Sequence, residues 1–238
     1  MHLLDLTLPT IAENLALEEA LLAEAEAAGL PDILRLWESP ELAVVLGRSS
    51  RAADEANLNA CARDGVPILR RSSGGCAVVV GPGCLMYSVL LSYREHPELR
   101  ILDEAHRFAL TRVAAALEVL DPPATLAGTS DLAWQGKKFS GNSLRCRRDY
   151  LLYHGTLLYR FPLEVIGRYL RTPPREPEYR GGREHDLFVT NLPMDAALLR
   201  AALVESFQAE TLLPTWPQQR TEQLVAERYR RESWNLER

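Results

Sequence analysis

Apolar and polar positions follow two periods along the chain, and the changes of period mark the predicted elements. In TIAENLALEEALLAEAEAAG (residues 10–29), Thr10 and Glu13 have the spacing of a capping box, so a helix is predicted that ends at Gly29. The clearest further helix is predicted over 101–120, because apolar residues recur at steps of three and four. Its apolar positions are Leu102, Ala105, Ala109, Val113, Leu117 and Leu120.

Short apolar runs broken by Gly and Pro predict strands in much of the remaining chain. The predicted strands are DILRLWES, ELAVVLGR, VPILRRSSGG, CAVVVGPG, LMYSVLLSY, TLAGTSDLAWQ, GKKFSGNSLR and DYLLYHGTLLYRF. Shorter helices are predicted at 52–65 and 162–170. Two more helices are predicted to close the chain, one over 194–209 and one from Pro217 to near Arg231.

The order of these elements predicts the fold class. Strands come in adjacent groups with helices before, between and after them, and neither a repeat nor a linker separates independent halves. The segment RTPPREPEYRGGREHD (171–186), rich in Pro, Gly and charge, is predicted to be a long surface loop. We therefore expect one α+β domain over residues 1–238, with mixed or antiparallel sheets flanked by helices, rather than a doubly wound parallel sheet.

Composition narrows the functional classes. The chain has 238 residues, of which 47% are hydrophobic and 25% are charged, as in ordinary soluble domains. A net charge of −5 argues against a nucleic-acid partner held by phosphate neutralisation, and no leader or membrane-length apolar run is seen. The cysteines, Cys61, Cys76, Cys84 and Cys146, lack C-x-x-C spacing. We therefore expect a cytoplasmic protein with free thiols and without a metal site.

Lysine usage singles out one stretch, DLAWQGKKFSGNS (131–143). Of the 27 Lys and Arg residues, only Lys137 and Lys138 are Lys. Either these two lysines persist by chance on a solvated turn, or a site there needs the compact charge that Arg cannot supply. On a strand the two side chains diverge, so at most one faces a site, and Gly136 and Gly141 would let a ligand lie close to the backbone.

Two further stretches are candidates for chemistry. RRSSGGCAVVVGPG (70–83) combines paired arginines with a Gly pair, a composition that suits an anion-binding backbone cradle, although the turn of a β-hairpin would explain it equally well. It lacks the spacing of a Walker A loop. In YHGTLL (153–158), His154 lies within a predicted strand, where a hydrogen-bonded structural role is the commoner one.

These three stretches, in this order, resemble the motifs of the lipoate–protein ligase A family within the biotin/lipoate ligase fold. The family carries R-R-x-S-G-G-G-A-V-x-H-D, then G-[RK]-K-[IVF]-x-G-[SN], then H-G-[TS]-L-L. Here the motifs read RRSSGGCAVVVG, GKKFSGNS and HGTLL. NLALEEALL near the start and ESWN near the end also look like terminal signatures of the family, so the resemblance spans residues 10–235.

The resemblance implies an ATP-dependent ligase. Such enzymes join the carboxylate of lipoate or octanoate to the α-phosphate of ATP, with Mg²⁺, and pass the acyl group to a carrier lysine. The implied carriers are lipoyl domains of 2-oxoacid dehydrogenases or the H protein of glycine cleavage. By position the essential lysine falls on Lys138, the variable basic residue on Lys137 and the nucleotide-contacting arginine on Arg71.

The resemblance also implies the binding residues. The adenylate cradle falls on Ser73, Gly74, Gly75, Cys76, Ala77, Val78 and Val79, and Gly141 and His154 complete the predicted binding set. An ammonium between two anions in a partly dry pocket offers three donors and a concentrated charge, whereas a guanidinium is wider and flatter. This requirement would explain why Lys survives in GKKFSGNS.

Departures from the family motif keep other functions open. Cys76 replaces the third Gly, Val80 and Gly81 replace a His-Asp pair, and Cys84 stands where Asn is usual. GPGC also resembles the GPGQ of octanoyltransferases, so the second alternative is an ATP-independent octanoyl or lipoyl transferase that takes its acyl group from acyl carrier protein or another lipoylated protein. A third is a catalytically silent binding relative. The accessory domain of many such ligases is also expected to be absent, so either a small partner chain supplies it or the chain performs only part of the reaction.

Overall fold

The computed structural model describes residues 1–173 and 176–236. Strands account for much of this part of the chain. They are β1 (His2–Asp5), β2 (Ile33–Glu38), β3 (Ala43–Leu46), β4 (Ile68–Arg70), β5 (Val78–Val80), β6 (Cys84–Ser92), β7 (Thr125–Ala127), β8 (Asp131–Trp134), β9 (Lys137–Cys146), β10 (Tyr150–Leu158) and β11 (Thr211–Leu212).

The helices of the described residues lie before, between and after these strands. They are α1 (Ile11–Ala28), α2 (Ala52–Glu55), α3 (Leu58–Asp64), α4 (Leu102–Ala115), α5 (Glu164–Tyr169), α6 (His185–Phe188), α7 (Ala196–Ser206), α8 (Gln218–Leu224) and α9 (Glu232–Asn235). Short 3-10 turns occupy Pro97–Arg100 and Glu178–Arg180, and a π-helical turn, Val225–Tyr229, follows α8.

The strands form two sheets of mixed direction. The main sheet has the order β11-β1-β2-β6-β10-β9-β8-β7, and a small sheet has the order β4-β3-β5. β1 runs parallel to β2 and β11, and β3 runs parallel to β4, whereas the other pairs are antiparallel. The predicted α+β class with mixed sheets flanked by helices is confirmed.

Both faces of the main sheet are covered by apolar side chains. Along β6, Met86 packs on the side of the small sheet, whereas Leu85 and Tyr87 pack on the side of α4 and α7. This alternation with a period of two sends successive residues of a central strand into different cores. No helix of the described residues has the length and apolarity needed to cross a bilayer.

The predicted limits of α1 were correct, whereas the helix predicted over 194–209 runs only from Ala196 to Ser206. Thr10 and Glu13 form the predicted capping box, with the Glu13 backbone N–H donating to Thr10 Oγ1 at 3.3 Å, and α1 ends before Gly29. The single helix expected at 52–65 is two helices, because Ala56 is extended and Asn57 caps the second one at Ala60 N–H.

The helix predicted over 101–120 is shorter than expected. It ends at Ala115, and the last five residues form turns before the Pro122-Pro123 pair. Of the six periodic apolar positions, five are buried, whereas Leu102, the first helical residue, is 52% exposed. Strands β1 and β11 and helix α9 were not predicted. The loop expected at 171–186 contains two helical turns in its described part, and 174–175 lie outside the described residues.

The first arginine of the RR pair fastens the carboxy-terminal segment to the small sheet. The buried Arg70 side chain donates to the carbonyl oxygens of Gly47 at 2.8 Å, Ser50 at 2.7 Å and Asn235 at 3.1 Å. The Arg70 backbone N–H also donates to Asn235 Oδ1 at 3.0 Å. ESWN therefore satisfies buried donors that would otherwise be costly.

We expect Asn235→Ala to lower the free energy of unfolding by about 1–3 kcal/mol, because the Arg70 N–H then lacks a partner in a buried position. Urea denaturation followed by tryptophan fluorescence would measure the change. Glu232→Ala, at an exposed position of the same helix, is the matched control and should stay close to wild type. Equal stability of both variants would contradict the role given to Asn235.

Candidate active site

A cavity of about 630 Å³ lies between the two sheets and the segment that follows α5. Its walls combine apolar side chains, such as Trp37, Met86 and Phe188, with charged ones, such as Asp131 and Lys138. The predicted site residues that line it are Arg71, Gly75, Cys76, Ala77, Val78, Val79, Lys138, Gly141 and His154. Ser73 and Gly74 do not line it. The three motifs, distant in sequence, thus meet at one cavity of mixed polarity.

The glycine stretch is a connection between strands that do not pair with each other. β4 and β5 lie on opposite sides of β3, so the alternative of a β-hairpin turn is wrong. Gly75 has a φ of 85°, and a Cβ there would lie 2.9 Å from Arg71 Nη2, so both backbone and space favour glycine. Residues 71–77 form the loop that we call the glycine loop.

Arg71 shapes the glycine loop from within. Its side chain is buried and donates to the carbonyl oxygens of Val45 at 3.1 Å, Cys76 at 3.0 Å and also Gly74. Burial lowers the pKa of Arg71 to about 10, which is still far above neutral pH, so the guanidinium stays charged. The loop therefore folds around a fixed positive charge, which suits an anionic ligand.

A buried hydrogen-bond chain supports the glycine loop from the side of α1. Ser73 Oγ lies 2.6 Å from His154 Nε2, and His154 Nδ1 lies 2.6 Å from Glu18 Oε2. Glu18 also accepts from Trp37 Nε1 at 3.1 Å and lies 3.8 Å from the Arg35 guanidinium. Burial alone would raise the pKa of Glu18, but the charges of His154 and Arg35 and the hydrogen bonds lower it, so Glu18 is an anion.

Lys138 projects into the cavity from the start of β9, and Lys137 is not among the lining residues. Lys138 Nζ lies 2.7 Å from Asp131 Oδ1, and Tyr179 Oη donates to the other Asp131 oxygen at 2.8 Å. The turn before Lys137 has positive φ at Gln135 and Gly136, as a two-residue hairpin requires. The predicted divergence of the two lysines agrees with this placement.

An irregularity in β9 aims Lys138 and Gly141 at the same space. Leu132 pairs with Ser140 and Ala133 with Lys138, so Phe139 is an extra residue opposite β8. Such a bulge shifts the facing of the residues beyond it. A Cβ at Gly141 would lie 3.0 Å from Lys138 Nζ, so the ammonium rests against the strand backbone.

The HG pair of the third motif leaves room for an asparagine. A Cβ at Gly155 would lie 1.7 Å from Asn142 Oδ1, a distance that no side chain could accommodate. Asn142 uses the space to donate to the Ser130 carbonyl oxygen at 2.8 Å and to accept from Tyr87. Gly155 thus fixes the strand of GKKFSGNS against β10.

The positions that depart from the family motif are apolar and mostly buried. Val80 ends β5 in the core, and a Cβ at Gly81 would lie 2.6 Å from Leu42 Cδ2. Cys84 is fully buried beside Met86, and burial raises the pKa of its thiol far above the ordinary range. Cys76 is partly exposed and lines the cavity. Of the two cysteines near the loop, only Cys76 can meet a ligand.

Sequence reasoning did not identify several polar residues that line the cavity or contact its lining residues. Glu55 accepts from the Ala77 backbone N–H at 2.5 Å, inside the predicted cradle. Glu18, Asp131 and Tyr179 were also missed, although Glu18 lies in NLALEEALL and Asp131 opens the lysine stretch. In residues 1–173 and 176–236, no group of three or more His, Cys, Asp or Glu side chains is arranged to hold a metal ion.

Comparison with known sequences identifies the family. The sequence model of the lipoyl protein ligase A/B catalytic domain matches residues 10–210. A probable lipoate-protein ligase A of Mycoplasma genitalium is 33% identical over 157 residues, 66% of this chain and 45% of the relative. A lipoate-protein ligase A of Psychrobacter cryohalolentis is 29% identical over 180 residues, 74% of this chain and 50% of the relative. The chain therefore spans about half the length of the curated relatives it matches.

Solved structures share the fold. A bi-partite lipoate protein ligase of Thermoplasma acidophilum, described with its E2 lipoyl domain, superposes with a TM-score of 0.83 at 22% identity, covering 99% of this chain and 95% of that one. A lipoate-protein ligase A bound with ATP superposes with a TM-score of 0.80 at 23% identity, covering 99% and 98%. The family match covers most of the chain, and the three family motifs meet at one cavity. The chain belongs to the lipoyl protein ligase A/B catalytic domain family.

Proposed function

We propose that this protein is a lipoate–protein ligase that forms an acyl-adenylate from lipoate or octanoate and ATP and transfers the acyl group to a carrier lysine. The observation that carries the proposal is the position of Lys138, the charge opposite Asp131 in a cavity that also contains the glycine loop and apolar walls. Such a cavity suits a fatty carboxylate and a phosphate at the same time. The curated relatives bear the name lipoate-protein ligase A, which supports the same reaction.

The first step brings two anions together. A carboxylate oxygen attacks the α-phosphorus of ATP, bound as its magnesium complex, and pyrophosphate leaves. Lys138 would lie between the reacting groups and stabilise the charge that develops on the phosphoryl oxygens. Arg71, charged and buried, would hold the glycine loop in the shape that presents its N–H groups to the adenylate.

The second step passes the acyl group to the carrier. The carrier lysine amine attacks the acyl carbonyl carbon, AMP leaves with the bonding electrons, and the amine loses a proton. The acyl chain would lie along the apolar walls near Leu15, Trp37 and Met86, where burial of methylenes contributes about 0.8 kcal/mol each. Lipoyl domains of 2-oxoacid dehydrogenases, or the H protein of glycine cleavage, are the proposed carriers. The Thermoplasma neighbour described with an E2 lipoyl domain supports this class.

A transferase that takes a thioester donor is the second candidate. Cys76 favours it, because this thiol lines the cavity where the family motif has glycine. A thiolate there would attack the donor carbonyl, release the donor thiol and hold the acyl group as a new thioester. Cys84 does not suit this role, because it is buried and its thiol pKa is raised.

The test is the mass of a lipoyl domain after incubation with the purified chain. We expect modification when lipoyl-adenylate is supplied. Because the Thermoplasma neighbour is described as bi-partite, we also expect lipoate plus ATP and Mg²⁺ to act slowly unless a second protein is added. Modification that needs octanoyl-acyl carrier protein and no adenylate would favour the transferase, and no modification from any donor would contradict both. Equal rates from adenylate and from lipoate plus ATP would contradict the need for a partner chain.

We expect Lys138→Arg to reduce acyl-adenylate formation by about a hundredfold or more, since removal of one donor to a developing oxyanion has an effect of this order. The wider guanidinium would meet the backbone of Gly141, against which the ammonium now rests. Release of pyrophosphate, coupled to a colour reaction, would measure the rate. Lys137→Arg is the matched control and should remain close to wild type. An equal loss in both variants would show that the wrong lysine has been assigned.

We expect Cys76→Ser and Cys84→Ser each to keep a substantial part of the ligase activity, because neither thiol takes part in adenylate chemistry. Cys84→Ser should instead lower stability, since it places a hydroxyl beside Met86 in the core. Intact-protein mass after exposure to an octanoyl thioester gives the complementary measurement. An acyl group on Cys76 that disappears in the serine variant would favour the transferase.

A further inference from the structure

Two arginines contact the glycine loop from outside the cavity, and a third lies near one of them. Arg48 donates its backbone N–H to the Ser73 carbonyl oxygen at 2.7 Å, and Arg145 Nη1 donates to the adjacent Ser72 carbonyl oxygen at 2.8 Å. Arg147 follows directly after the end of β9. We call Arg48, Arg145 and Arg147 the basic rim.

The side chains of the basic rim lie outside the cavity. None of the three lines it, whereas Ser143, two residues before Arg145 on the same strand, does so and donates to the Gly74 carbonyl oxygen at 3.0 Å. The glycine loop therefore separates the rim from the space proposed for the adenylate. A ligand that reaches the rim must extend beyond the cavity.

The rim carries more positive charge than its surroundings neutralise. Glu19 lies 3.6 Å from Arg145 but is shared with Arg228 and the Tyr229 hydroxyl. Arg48 and Arg147 are exposed, and neither side chain forms an ion pair or hydrogen bond with any residue of 1–173 or 176–236.

The guanidinium groups of the rim also repel one another. Burial lowers the pKa of Arg145, Glu19 opposes that shift, and the like charges of Arg147 and Arg48 lower the pKa further. Exposed like charges held close together destabilise a fold. On a chain whose net charge is −5, such a cluster is best explained by a partner of opposite charge.

We propose that the basic rim docks an acidic surface of the carrier domain, next to the carrier's acceptor lysine, so that the lysine is presented across the glycine loop. This inference rests on the proposed function. A folded carrier fits better than the triphosphate of ATP, because the rim lies outside the cavity wall. The three arginines of the rim are too few for a nucleic-acid interface, and the negative net charge of the chain also disfavours nucleic acid.

The test uses the full chain with Arg48→Glu and Arg147→Glu combined. With preformed lipoyl-adenylate as donor and a carrier domain that the wild type modifies, we expect KM for the carrier to rise about tenfold or more while kcat stays close to wild type. The wild-type KM should increase with salt, and that of the variant should change less. If the acidic residues that flank the acceptor lysine of the carrier are replaced by basic ones, the affinity of the variant for that carrier should be partly restored.

Controls separate the possible causes. Arg107→Glu, on the exposed side of helix α4, which packs against the opposite face of the main sheet, should leave KM unchanged. The variants should share the thermal midpoint of the wild type, so that a change in KM reports docking and not a loss of folding. An unchanged KM for the carrier would overturn the proposal. So would a main effect of another kind, either a raised KM for ATP in pyrophosphate release or the loss of a binding to duplex DNA that the wild type shows. If the wild type modifies no carrier even with adenylate, the proposed function itself fails, which is a different result.

Discussion

A continuous buried chain of polar groups joins Arg35, Glu18, His154, Ser73 and Arg71. Buried charges are costly unless each has a partner, and removal of one member leaves the others without compensation. The chain connects β2, α1, β10 and the glycine loop, so the loop can hold its shape only when these elements are correctly packed. Arg71, the second arginine of the RR pair, therefore stabilises the loop by its hydrogen bonds and also supplies a positive charge.

The cavity depends on the same principle at its opposite side. Asp131 holds Lys138 and is itself held by Tyr179, which comes from the segment after α5. A carboxylate and an ammonium placed together in this way hold each other's orientation without a ligand. The extra residue at Phe139 is what allows the lysine and Gly141 to share one face of β9.

Alternation along strands explains why neighbouring identical residues differ in role. Arg70, at the end of β4, points to the carboxy-terminal segment and satisfies ESWN, whereas Arg71 points to the glycine loop. Lys138 lines the cavity and Lys137 does not. In each pair one residue stabilises the fold or lies at the surface, and the other contacts the glycine loop or the cavity. The number of basic residues in a motif is therefore larger than the number at the site.

Capping, apolar period and glycine content are local signals, so the α+β class, the limits of α1 and the three stretches that line the cavity could be predicted from the sequence. It could not decide that β4 and β5 flank β3, nor that Glu18 and Asp131 belong to the site. Their partners, His154 and Lys138, are brought close by strand order and by a bulge. Leu102 shows the converse, since its period predicts burial but its place at the start of α4 leaves it in solvent. Contacts between distant segments follow from packing, which local pattern does not encode.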